Sequence, residues 1–490
     1  GCIIQTMAAL TEPQFGLHVH ADRAINVELP RVQGAVLVHN LPPGIHVAHI
    51  LPGHGVQNLP GKPVKTGGRQ GRTDWMENGL VRVQFGRDGR FDVIDSGTKR
   101  TYTGLGRLEN SEDAGDSYDW SAGGHPVEVG TGRGSKMEKR VEAVDTRICD
   151  LDDSDKRSTS VTLMMENEWL TTVLVQVHWS LPTSFDDTTQ KRSDEEDWVT
   201  VEHYITLRSG SRLVEIETMI NNTCEDHRLR VCLPTGLNPK KVWSGGVYDV
   251  LSRLTDIPHE SDWEQPSVPT QHFSQFVTMQ DRVGGLAAIV PGSNEYEVAK
   301  TIGKDGFDLR ITMLRATGWL SRDGFASRRN RAGPCYPAPG AQCQGQSWMR
   351  WGILPYDGMW AQAGVHESAE KFAAQATLLP AHGKPQLNGF FDDPLSKGIR
   401  GRTAALVRFV GDGPRPLLSA CKPAEDGDGT VIRIHNPTKH DWTGRIETDL
   451  PLFECNECDM MENTGKAVDI TDQGWDVTIG SKKIVTFRFK

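Results

Sequence analysis

The chain has 490 residues, of which 37% are hydrophobic and 24% are charged, and its formal net charge at pH 7 is −10. This length accommodates roughly two to four domains with a sizeable core, and the composition excludes disordered, fibrous and membrane-embedded proteins. The acidic balance argues against nucleic acid as the main partner, because binding to phosphates requires concentrated positive charge.

Residues 1–59 are predicted to form a small β segment. The first ten residues are interpreted as the tail of a helix from a domain outside this sequence, and strands follow them. The sequence begins at Gly1, not at a methionine, and its start lacks the pattern of a signal peptide. We therefore expect a trimmed or processed fragment.

His18 and His20 occupy alternate positions in the sequence LHVHAD, which places them on one face of a strand. Two imidazoles on one face could ligate a metal, but a metal site needs three or four ligands. Histidines in this arrangement more often face solvent or a neighbouring subunit. We predict no metal site in this chain.

Residues 60–76, which include GKPVKTGGRQGRT, are predicted to be a linker, and strict alternation of apolar and polar residues appears beyond them. In WVTVEHYITL, every second residue from Val199 to Leu207 lies on one face, and RLVEIETMI continues the pattern after an SGS turn. A period of two residues is typical of half-buried antiparallel strands. Similar segments recur between glycine, proline, aspartate and asparagine turns.

The alternation predicts an all-β fold. We expect a large central β-supersandwich over residues 77–385 and a smaller C-terminal β-sandwich over residues 386–490. A short helix is predicted over residues 367–374, where ESAEKFAA is rich in good helix formers.

The sequence GDSYDWS, residues 115–121, is a candidate saccharide-binding turn. Gly115 permits a tight turn, Asp116 can accept backbone hydrogen bonds, and Tyr118 can then project an aromatic face with a hydroxyl tip. A pyranose offers C–H faces for stacking and hydroxyls for hydrogen bonding. The alternative is a turn whose aromatic side chain packs inward.

A long loop rich in arginine, glycine and proline follows the apolar segment ITMLRA. It contains four arginines: Arg322, Arg328, Arg329 and Arg331. Long loops inside compact domains are usually functional, and guanidinium groups present paired donors to vicinal hydroxyls or a carboxylate. The alternative is a solvated surface loop.

Nine cysteines, an odd number spread along the chain, do not indicate a dense disulfide framework. Cys335 and Cys343 flank the proline-rich part of the long loop and could bridge it in an oxidising compartment. Cys455 and Cys458 form a C-x-x-C motif, but without a second pair it is a weak indication of zinc.

Several segments, taken together and in order, resemble one family. They are ENGLVRVQFGRDGRFDVID from residue 77, GDSYDWS, NNTCEDHRLRVCLPTGL from residue 221, GGLAAIVPGSNEYEV from residue 284, TMLRATGWLSR with RRNRAGP and PAPGAQC, and the terminal IVTFRFK. These segments resemble the C-terminal β region of glycoside hydrolase family 38, the retaining α-mannosidases, and in particular its bacterial branch. The resemblance runs from about residue 36 to the C-terminus and implies a galactose-mutarotase-like supersandwich.

Enzymes of this family hold a catalytic zinc, the nucleophile and the acid on an N-terminal barrel. The sequence contains no H-x-D motif in a strand-to-loop setting and no HHD motif on a helix, and the nearest candidate is LHVHAD, residues 17–22. The resemblance therefore implies a chain without catalytic residues or cofactor of its own. It would supply the scaffold and the rim of the active site to a barrel that binds zinc.

The resemblance also assigns site residues. Tyr118 matches the tyrosine at the rim of the active site, and Arg331 matches an arginine that reaches the sugar. Asp116, Arg328 and Arg329 complete the predicted contacts to an α-mannoside. The arginine cluster would favour a substrate that carries an acid, as mannosylglycerate does. Asp226 and His227 resemble a motif in the sandwich core, where we expect structural hydrogen bonds.

Two other functions remain open at this point. The chain could be a stand-alone carbohydrate-binding or assembly protein without catalysis. It could also be a self-contained hydrolase with carboxylates drawn from Glu109, Glu112 and Asp113, since retaining glycosidases use two carboxyl groups about 5 to 5.5 Å apart. The resemblance argues against the second option, because this family takes both groups from the barrel.

The few cysteines and the lack of a leader favour a cytoplasmic location over secretion, although a trimmed N-terminus leaves the compartment undecided. No apolar run approaches the roughly 18 residues of a membrane-spanning helix, so we expect no membrane partner. The oligomeric state is open, with self-association as one option.

Overall fold

The computed structural model describes backbone and side chains for residues 61–69, 72–123, 157–256, 268–324, 328, 330–374, 407–450 and 452–490, together with the backbone of a few short strands elsewhere. The chain separates into two compact units. One unit comprises Leu59–Ala373 with Pro437–Lys439, and the other comprises Gly1–Asn58, Ala374–Asn436 and His440–Lys490. The structure thus groups the N-terminal segment with the C-terminal one, whereas the sequence-based division treats them as separate parts.

Five short strands precede the larger unit: β1 (Ile3–Gln5), β2 (Gly16–His20), β3 (Arg23–Val27), β4 (Ala35–Leu37) and β5 (Gly44–His46). Within the predicted helix tail of residues 1–10, the described residues form strand β1, which pairs with β4 in antiparallel register. The helix prediction is wrong for these residues, because the β-branched Ile3 and Ile4 favour a paired strand over a helical turn.

The larger unit is built from twenty-two strands among the described residues. In chain order they are β6 (Lys65–Gly67), β7 (Trp75–Glu77), β8 (Val81–Phe85), β9 (Phe91–Asp95), β10 (Thr101–Leu105), β11 (Arg107–Glu112), β12 (Arg147–Ile148), β13 (Arg157–Glu166), β14 (Leu170–Pro182), β15 (Phe185–Asp186), β16 (Lys191–Arg192), β17 (Glu196–Arg208), β18 (Val214–Asn222), β19 (His227–Leu237), β20 (Lys241–Gly245), β21 (Val250–Leu254), β22 (Thr270–His272), β23 (Gln275–Gln280), β24 (Gly284–Val290), β25 (Glu295–Lys300), β26 (Phe307–Ala316) and β27 (Gly345–Asp357).

Hydrogen bonds join most of these strands into three sheets. The nine-stranded sheet has the order β13-β14-β17-β18-β27-β24-β23-β20-β21, the six-stranded sheet β12-β11-β19-β26-β25-β22, and the five-stranded sheet β10-β9-β8-β7-β6. Strand β6 lies inside the predicted linker and pairs with β7, so this stretch is partly incorporated into a sheet. The all-β prediction is confirmed.

One continuous apolar core is shared by these three sheets. It is formed by side chains such as Val83, Val175, Ile216, Leu233 and Ile311, all of which are buried. The alternation predicted along WVTVEHYITL and RLVEIETMI is present in β17 and β18, where every predicted inward residue is buried. On strands β17 and β18, the residues that alternate with these point away from this core.

A single α-helix, α1 (Val365–Ala373), occurs among the described residues, together with a 3-10 turn at Pro339–Gln342. Its apolar stripe of Val365, Ala369 and Phe372 packs in a second cluster with residues of β23 and β24. The helix predicted over residues 367–374 is confirmed and begins two residues earlier. Within the described residues, no helix has the length and apolar character required to cross a bilayer.

The remaining strands are β28 (Thr403–Ala405), β29 (Arg408–Val410), β30 (Leu417–Pro423), β31 (Thr430–His435), β32 (Trp442–Glu447), β33 (Cys455–Cys458), β34 (Thr464–Ala467), β35 (Gly474–Ile479) and β36 (Ile484–Phe489). Strand β28 pairs with β5. The others form a three-stranded sheet, β29-β32-β35, and a five-stranded sheet, β30-β31-β36-β33-β34, which share one core. Trp475 lies in that core, with its ring centroid 5.3 Å from that of Phe487 and 6.0 Å from that of Phe489.

Replacing Trp475 by alanine should destabilise the C-terminal unit by about 3–5 kcal/mol, since the deletion removes a fully buried ring and leaves a cavity. Hydrogen exchange of peptides from residues 407–490 under increasing urea measures this change. The control is Phe453→Ala, because Phe453 is 86% exposed and its loss should cost less than about 0.5 kcal/mol. Equal effects of the two substitutions would contradict the assigned core.

Candidate functional site

The candidate site is formed where two loops leave the same end of the six-stranded sheet. Strands β11 and β26 both pair antiparallel with β19, which lies between them. Glu112 at the end of β11 and Ala316 at the end of β26 are both register partners of His227 at the start of β19. Because neighbouring strands are about 4.8 Å apart, the GDSYDWS turn and the arginine-rich loop begin about 10 Å from each other.

The GDSYDWS turn is closed by its own backbone. The Ala114 amide donates to the Ser121 carbonyl at 2.9 Å, and the Asp116 amide donates to the Asp119 carbonyl at 3.0 Å. A Cβ at Gly115 would lie 2.0 Å from the Asp119 carbonyl oxygen. Glycine is therefore required here for space.

Asp116 is the central anion of the site and is completely buried. Its Oδ1 accepts hydrogen bonds from the backbone amides of Tyr118 at 2.9 Å and Asp119 at 3.1 Å, as predicted from the sequence. Its Oδ2 accepts the Arg322 amide at 3.0 Å and a guanidinium N–H of Arg328. One carboxylate thus organises its own turn and holds the second loop.

Arg328 provides the opposite charge and is also buried. Besides Asp116, its guanidinium donates to Asp119 Oδ2 at 2.7 Å and to the Asn330 carbonyl at 2.7 Å. The guanidinium carbon lies 5.9 Å from the centroid of the Tyr118 ring. We refer to Asp116, Asp119 and Arg328 together as the loop clamp.

Arg315, near the end of β26, makes a second connection between the loops. It binds Asp113 through two N–H donors, at 2.8 and 3.1 Å, and also donates to the Asp116 carbonyl at 2.8 Å. The Ser117 amide donates to the Trp319 carbonyl at 3.0 Å. The turn is therefore fixed to the start of the arginine-rich loop as well as to its middle.

The arginine-rich loop folds back on itself. Its two arms are joined by hydrogen bonds from the Leu320 amide to the Tyr336 carbonyl, at 2.9 Å, and from the Ala338 amide to the Gly318 carbonyl, at 2.7 Å. The buried Ser321 hydroxyl accepts the amide of Gly333 at 3.1 Å, which ties the second arm to the first at this point. The loop is therefore braced internally despite having little regular secondary structure.

Tyr118 projects outward from this framework with 55% of its surface exposed. A Cβ on Gly333 would lie 3.0 Å from the Tyr118 hydroxyl oxygen, so the ring lies close against the second loop. Arg331 and Tyr336 are also exposed on the same loop. These three side chains can meet a ligand, and the sequence analysis missed Tyr336, although an aromatic residue between closely spaced prolines was a usable signal.

The predicted binding residues therefore fall into two groups. Tyr118 and Arg331 are exposed, whereas Asp116 and Arg328 are buried behind the tyrosine and are saturated by protein partners. Arg329 lies outside the described residues. A direct contact between any of these residues and a substrate stays a prediction, and the geometry gives the loop clamp a supporting role.

Trp120 faces the protein and does not form an edge of the exposed surface. Its indole N–H donates to the Glu112 carbonyl at 2.9 Å, and the guanidinium of the buried Arg228 lies 3.7 Å from the ring centroid. Its part in the turn is structural.

Asp226 and His227 form the expected network of structural hydrogen bonds beneath the loops. Asp226 Oδ1 accepts from the Gln342 side chain at 2.7 Å, and the Asp226 amide donates to Gln342 Oε1 at 2.9 Å. His227 Nε2 lies 2.9 Å from Asn222 Oδ1, and Nδ1 lies 2.7 Å from the Asn110 amide nitrogen. Burial lowers the pKa of His227 to about 3, so the imidazole is neutral.

Two of the three carboxylates near the turn, Glu109 and Asp113, are held by arginines. The third, Glu112, is buried; its Oε1 accepts the Gly123 amide at 3.3 Å, and its Oε2 has no hydrogen-bond partner among the described residues. Glu109 accepts from Arg230 at 2.8 Å and pairs with Arg310 at 3.0 Å. Burial alone would raise the pKa of Glu109, but these two arginines outweigh it and hold the pKa below its usual value. Asp113 is bound by Arg315, as described above. Burial raises the pKa of Asp113 above its usual value, and Arg315 opposes that shift. Every oxygen of Glu109 and Asp113 already has an arginine partner, so neither carboxyl group is free to act as a general acid.

Within the described residues, no three His, Cys, Asp or Glu side chains converge as metal ligands. The side chains of His18 and His20 lie outside the described residues, so that prediction is not tested. Cys335 and Cys343 are exposed free thiols, and Cys455 and Cys458 are also unbridged.

Replacing Asp116 by asparagine should lower the free energy of unfolding by about 3 kcal/mol, because an amide would oppose two donors and weaken a buried ion pair. Urea denaturation measures this loss. The matched control is Asp119→Asn, because the Asp119 side chain is 36% exposed and should contribute under about 1 kcal/mol. If the two variants were equally stable, the clamp would not depend on Asp116.

The low pKa of His227 predicts a pH dependence of stability. The folded state keeps this imidazole neutral, whereas the unfolded chain binds a proton below about pH 6.5, so the stability should fall as the pH drops from 6.5 towards 3. Between pH 6 and 5 the loss assigned to His227 is about 1 kcal/mol. In the His227→Gln variant, the free energy of unfolding, referred to the variant's own value at pH 8, should fall by about 1 kcal/mol less between pH 6 and 5. Urea midpoints at each pH measure this difference. An unchanged slope would show that His227 is protonated in the folded protein.

Comparison with known proteins agrees with this architecture. Residues 76–323 match the family described as "Glycosyl hydrolases family 38 C-terminal domain", and residues 416–487 match "Glycosyl hydrolases family 38 C-terminal beta sandwich domain". One relative, named "Putative mannosylglycerate hydrolase", from Halalkalibacterium halodurans, is 22% identical over an alignment of 431 residues that covers 85% of this chain and 41% of that protein.

Two solved structures from Enterococcus faecalis share the fold. One is an alpha-mannosidase from strain V583, with a TM-score of 0.67 and 19% identity, matched over 98% of this chain and 49% of that chain. The other is a protein in the glycosyl hydrolase family 38, with a TM-score of 0.65 and 18% identity, matched over 98% of this chain and 50% of that chain. This chain spans half or less of the length of these relatives. The chain belongs to glycosyl hydrolases family 38, of which it comprises the C-terminal β region.

Proposed function

We propose that this chain is the β portion of a retaining α-mannosidase and forms one wall and the rim of its active site. The observation that carries the proposal is the exposed Tyr118, held outward by a buried clamp of opposite charges. The buried carboxylate, whose oxygens accept four donors, holds both loops and thereby fixes the position from which the tyrosine projects. The α-mannosidase among the structural relatives supports the substrate class.

The exposed groups suit a sugar substrate. The Tyr118 ring offers a face for the C–H groups of a pyranose, and its hydroxyl offers a donor and an acceptor. Arg331 presents a planar fork that fits vicinal hydroxyls or a carboxylate. A glycerate acceptor would engage that fork more strongly than a neutral one, in line with the name of the Halalkalibacterium relative.

The nucleophile, the acid and the zinc belong, in this proposal, to a companion barrel domain of the same enzyme. Bound zinc would orient sugar hydroxyls there. In the described part of this chain no metal-ligand cluster is present, and the carboxyl groups of Glu109 and Asp113 are paired with arginines, so in this proposal its residues bind and position the sugar. The exposed free thiols Cys335 and Cys343 favour a reducing compartment, and we propose the cytoplasm.

Tyr118→Ala in the natural protein that contains this chain should raise the KM for an aryl α-mannoside at least tenfold and change kcat less, since the ring binds the sugar and does not react. Tyr118→Phe, which keeps the ring, should have a smaller effect. The control is Tyr248→Ala in the turn between β20 and β21, an exposed tyrosine of the same unit. A Tyr118→Ala variant with unchanged KM would contradict the rim assignment.

Sequencing upstream of Gly1, together with turnover and binding measurements on the isolated chain, separates the rival functions. The coding sequence upstream of Gly1 should contain a barrel with H-x-D and HHD motifs. Turnover by the isolated 490-residue chain would indicate a self-contained hydrolase. If no barrel is encoded and the isolated chain still binds saccharide, the stand-alone binding function is correct.

A further inference from the structure

The outward face of the nine-stranded sheet carries an organised surface that the rim does not use. The strand register aligns four side chains in one row across β14, β17, β18 and β27: Gln176, Glu202, Met219 and Trp348. The next row, two residues along each strand, contains His178, Thr200, Asn221 and Gln346. The opposite face of the same strands carries the buried valines and isoleucines of the core.

Two aromatic rings dominate this face. Trp348 is 62% exposed, and its ring stacks on that of Tyr204, with centroids 5.9 Å apart and planes inclined by 28°. Met219 lies on the strand between them and is buried despite its outward position. We call Tyr204 and Trp348 the aromatic platform. A third ring, Trp198, is exposed on the same face.

The groups around the aromatic platform are polar and already oriented. Tyr204 donates its hydroxyl proton to Glu202 Oε2 at 2.8 Å, and the Gln176 amide donates to Glu202 Oε1 at 2.6 Å. His178 Nδ1 lies 2.9 Å from the Thr200 hydroxyl. Each of these groups retains hydrogen-bonding capacity, and the bonds between them reduce the entropy lost when a ligand binds.

The charge of the two rows determines the class of ligand. They contain one carboxylate and no lysine or arginine, and the adjacent row, which includes Tyr204, adds Glu217 and Arg350. Arg350 is paired with Glu215 at 3.4 Å and its guanidinium covers the Phe372 ring, so the charge around the platform is acidic overall, which disfavours phosphate, nucleic acid and acidic glycans. Flat aromatic faces beside hydroxyl, amide and imidazole groups match a molecule with C–H faces and many hydroxyls. We propose that the aromatic platform is a second carbohydrate site, which binds neutral saccharides by stacking.

The position of the aromatic platform makes it separate from the rim but close to it along the chain. Strand β27 starts at Gly345, directly after the arginine-rich loop, and Asn222 at the end of β18 donates to the Gln342 carbonyl at 3.0 Å. Trp348 lies three residues into the strand, about 10 Å from its start. Binding at this surface does not depend on the proposed mannosidase activity.

The test is titration of the 490-residue chain with mannotriose and cellotriose, followed by tryptophan fluorescence and saturation-transfer NMR, with a sulfated disaccharide as the charged comparison. We expect at least one neutral trisaccharide to bind with a dissociation constant of millimolar order or tighter and the sulfated sugar not to bind. Trp348→Ala should raise that constant at least tenfold. Tyr204→Phe, which keeps the ring, should raise it less than threefold.

The control is Phe453→Ala, which removes an exposed aromatic ring from the other unit and should leave the affinity unchanged. Circular dichroism and the Tm verify that each variant is folded. Binding that survives both Trp348→Ala and Tyr204→Ala overturns the proposal. So does the absence of binding for both neutral sugars when each is present at 10-fold the expected dissociation constant. A dimer that becomes a monomer in Trp348→Ala, without sugar binding by the parent chain, would show instead that this face joins two copies.

Discussion

The arrangement of the candidate site depends on the burial of one carboxylate. Asp116 has no exposed surface, and a charge in that position is tolerated only when every lone pair has a partner. Two backbone amides of its own turn satisfy one oxygen, and the arginine-rich loop satisfies the other. Since Arg328 is 212 positions away in sequence, the site can form only after the sheet has brought the loops together.

The sheet beneath the loops also contains buried charges that require partners. Glu109 on β11 pairs with Arg230 on β19 and with Arg310 on β26, so charged side chains join the three strands from which the loops and their support arise. Buried ion pairs of this kind add little net stability compared with apolar packing, but an unpaired member is costly. A wrong register would leave such charges unpaired, and the cluster therefore selects the register that places both loops at one end.

The sequence predicted the fold well, because burial on one face of a strand leaves a period of two that can be read directly, as in Val199 to Leu207. It also identified both loops. It could not show that Arg328 is a buried ion-pair partner whereas Arg331 is exposed, because both are arginines of the same loop. Ile3 and Ile4 were misassigned to a helix, because their partners in β4, Leu37 and Val36, are distant in sequence. The aromatic platform was overlooked because Tyr204 and Trp348 meet across an intervening strand.

Gly333 has a consequence for how the Tyr118 ring could be repositioned during evolution. The phenol occupies space that any other residue at position 333 would claim, since even a methyl group would approach its oxygen to 3.0 Å. An alanine scan, which normally deletes atoms, would insert one here and displace the ring by a few tenths of an ångström. The position of the Tyr118 ring can thus be adjusted by a substitution at residue 333, which carries no functional group. Homologues with different sugar preferences could differ at this position while keeping every polar residue.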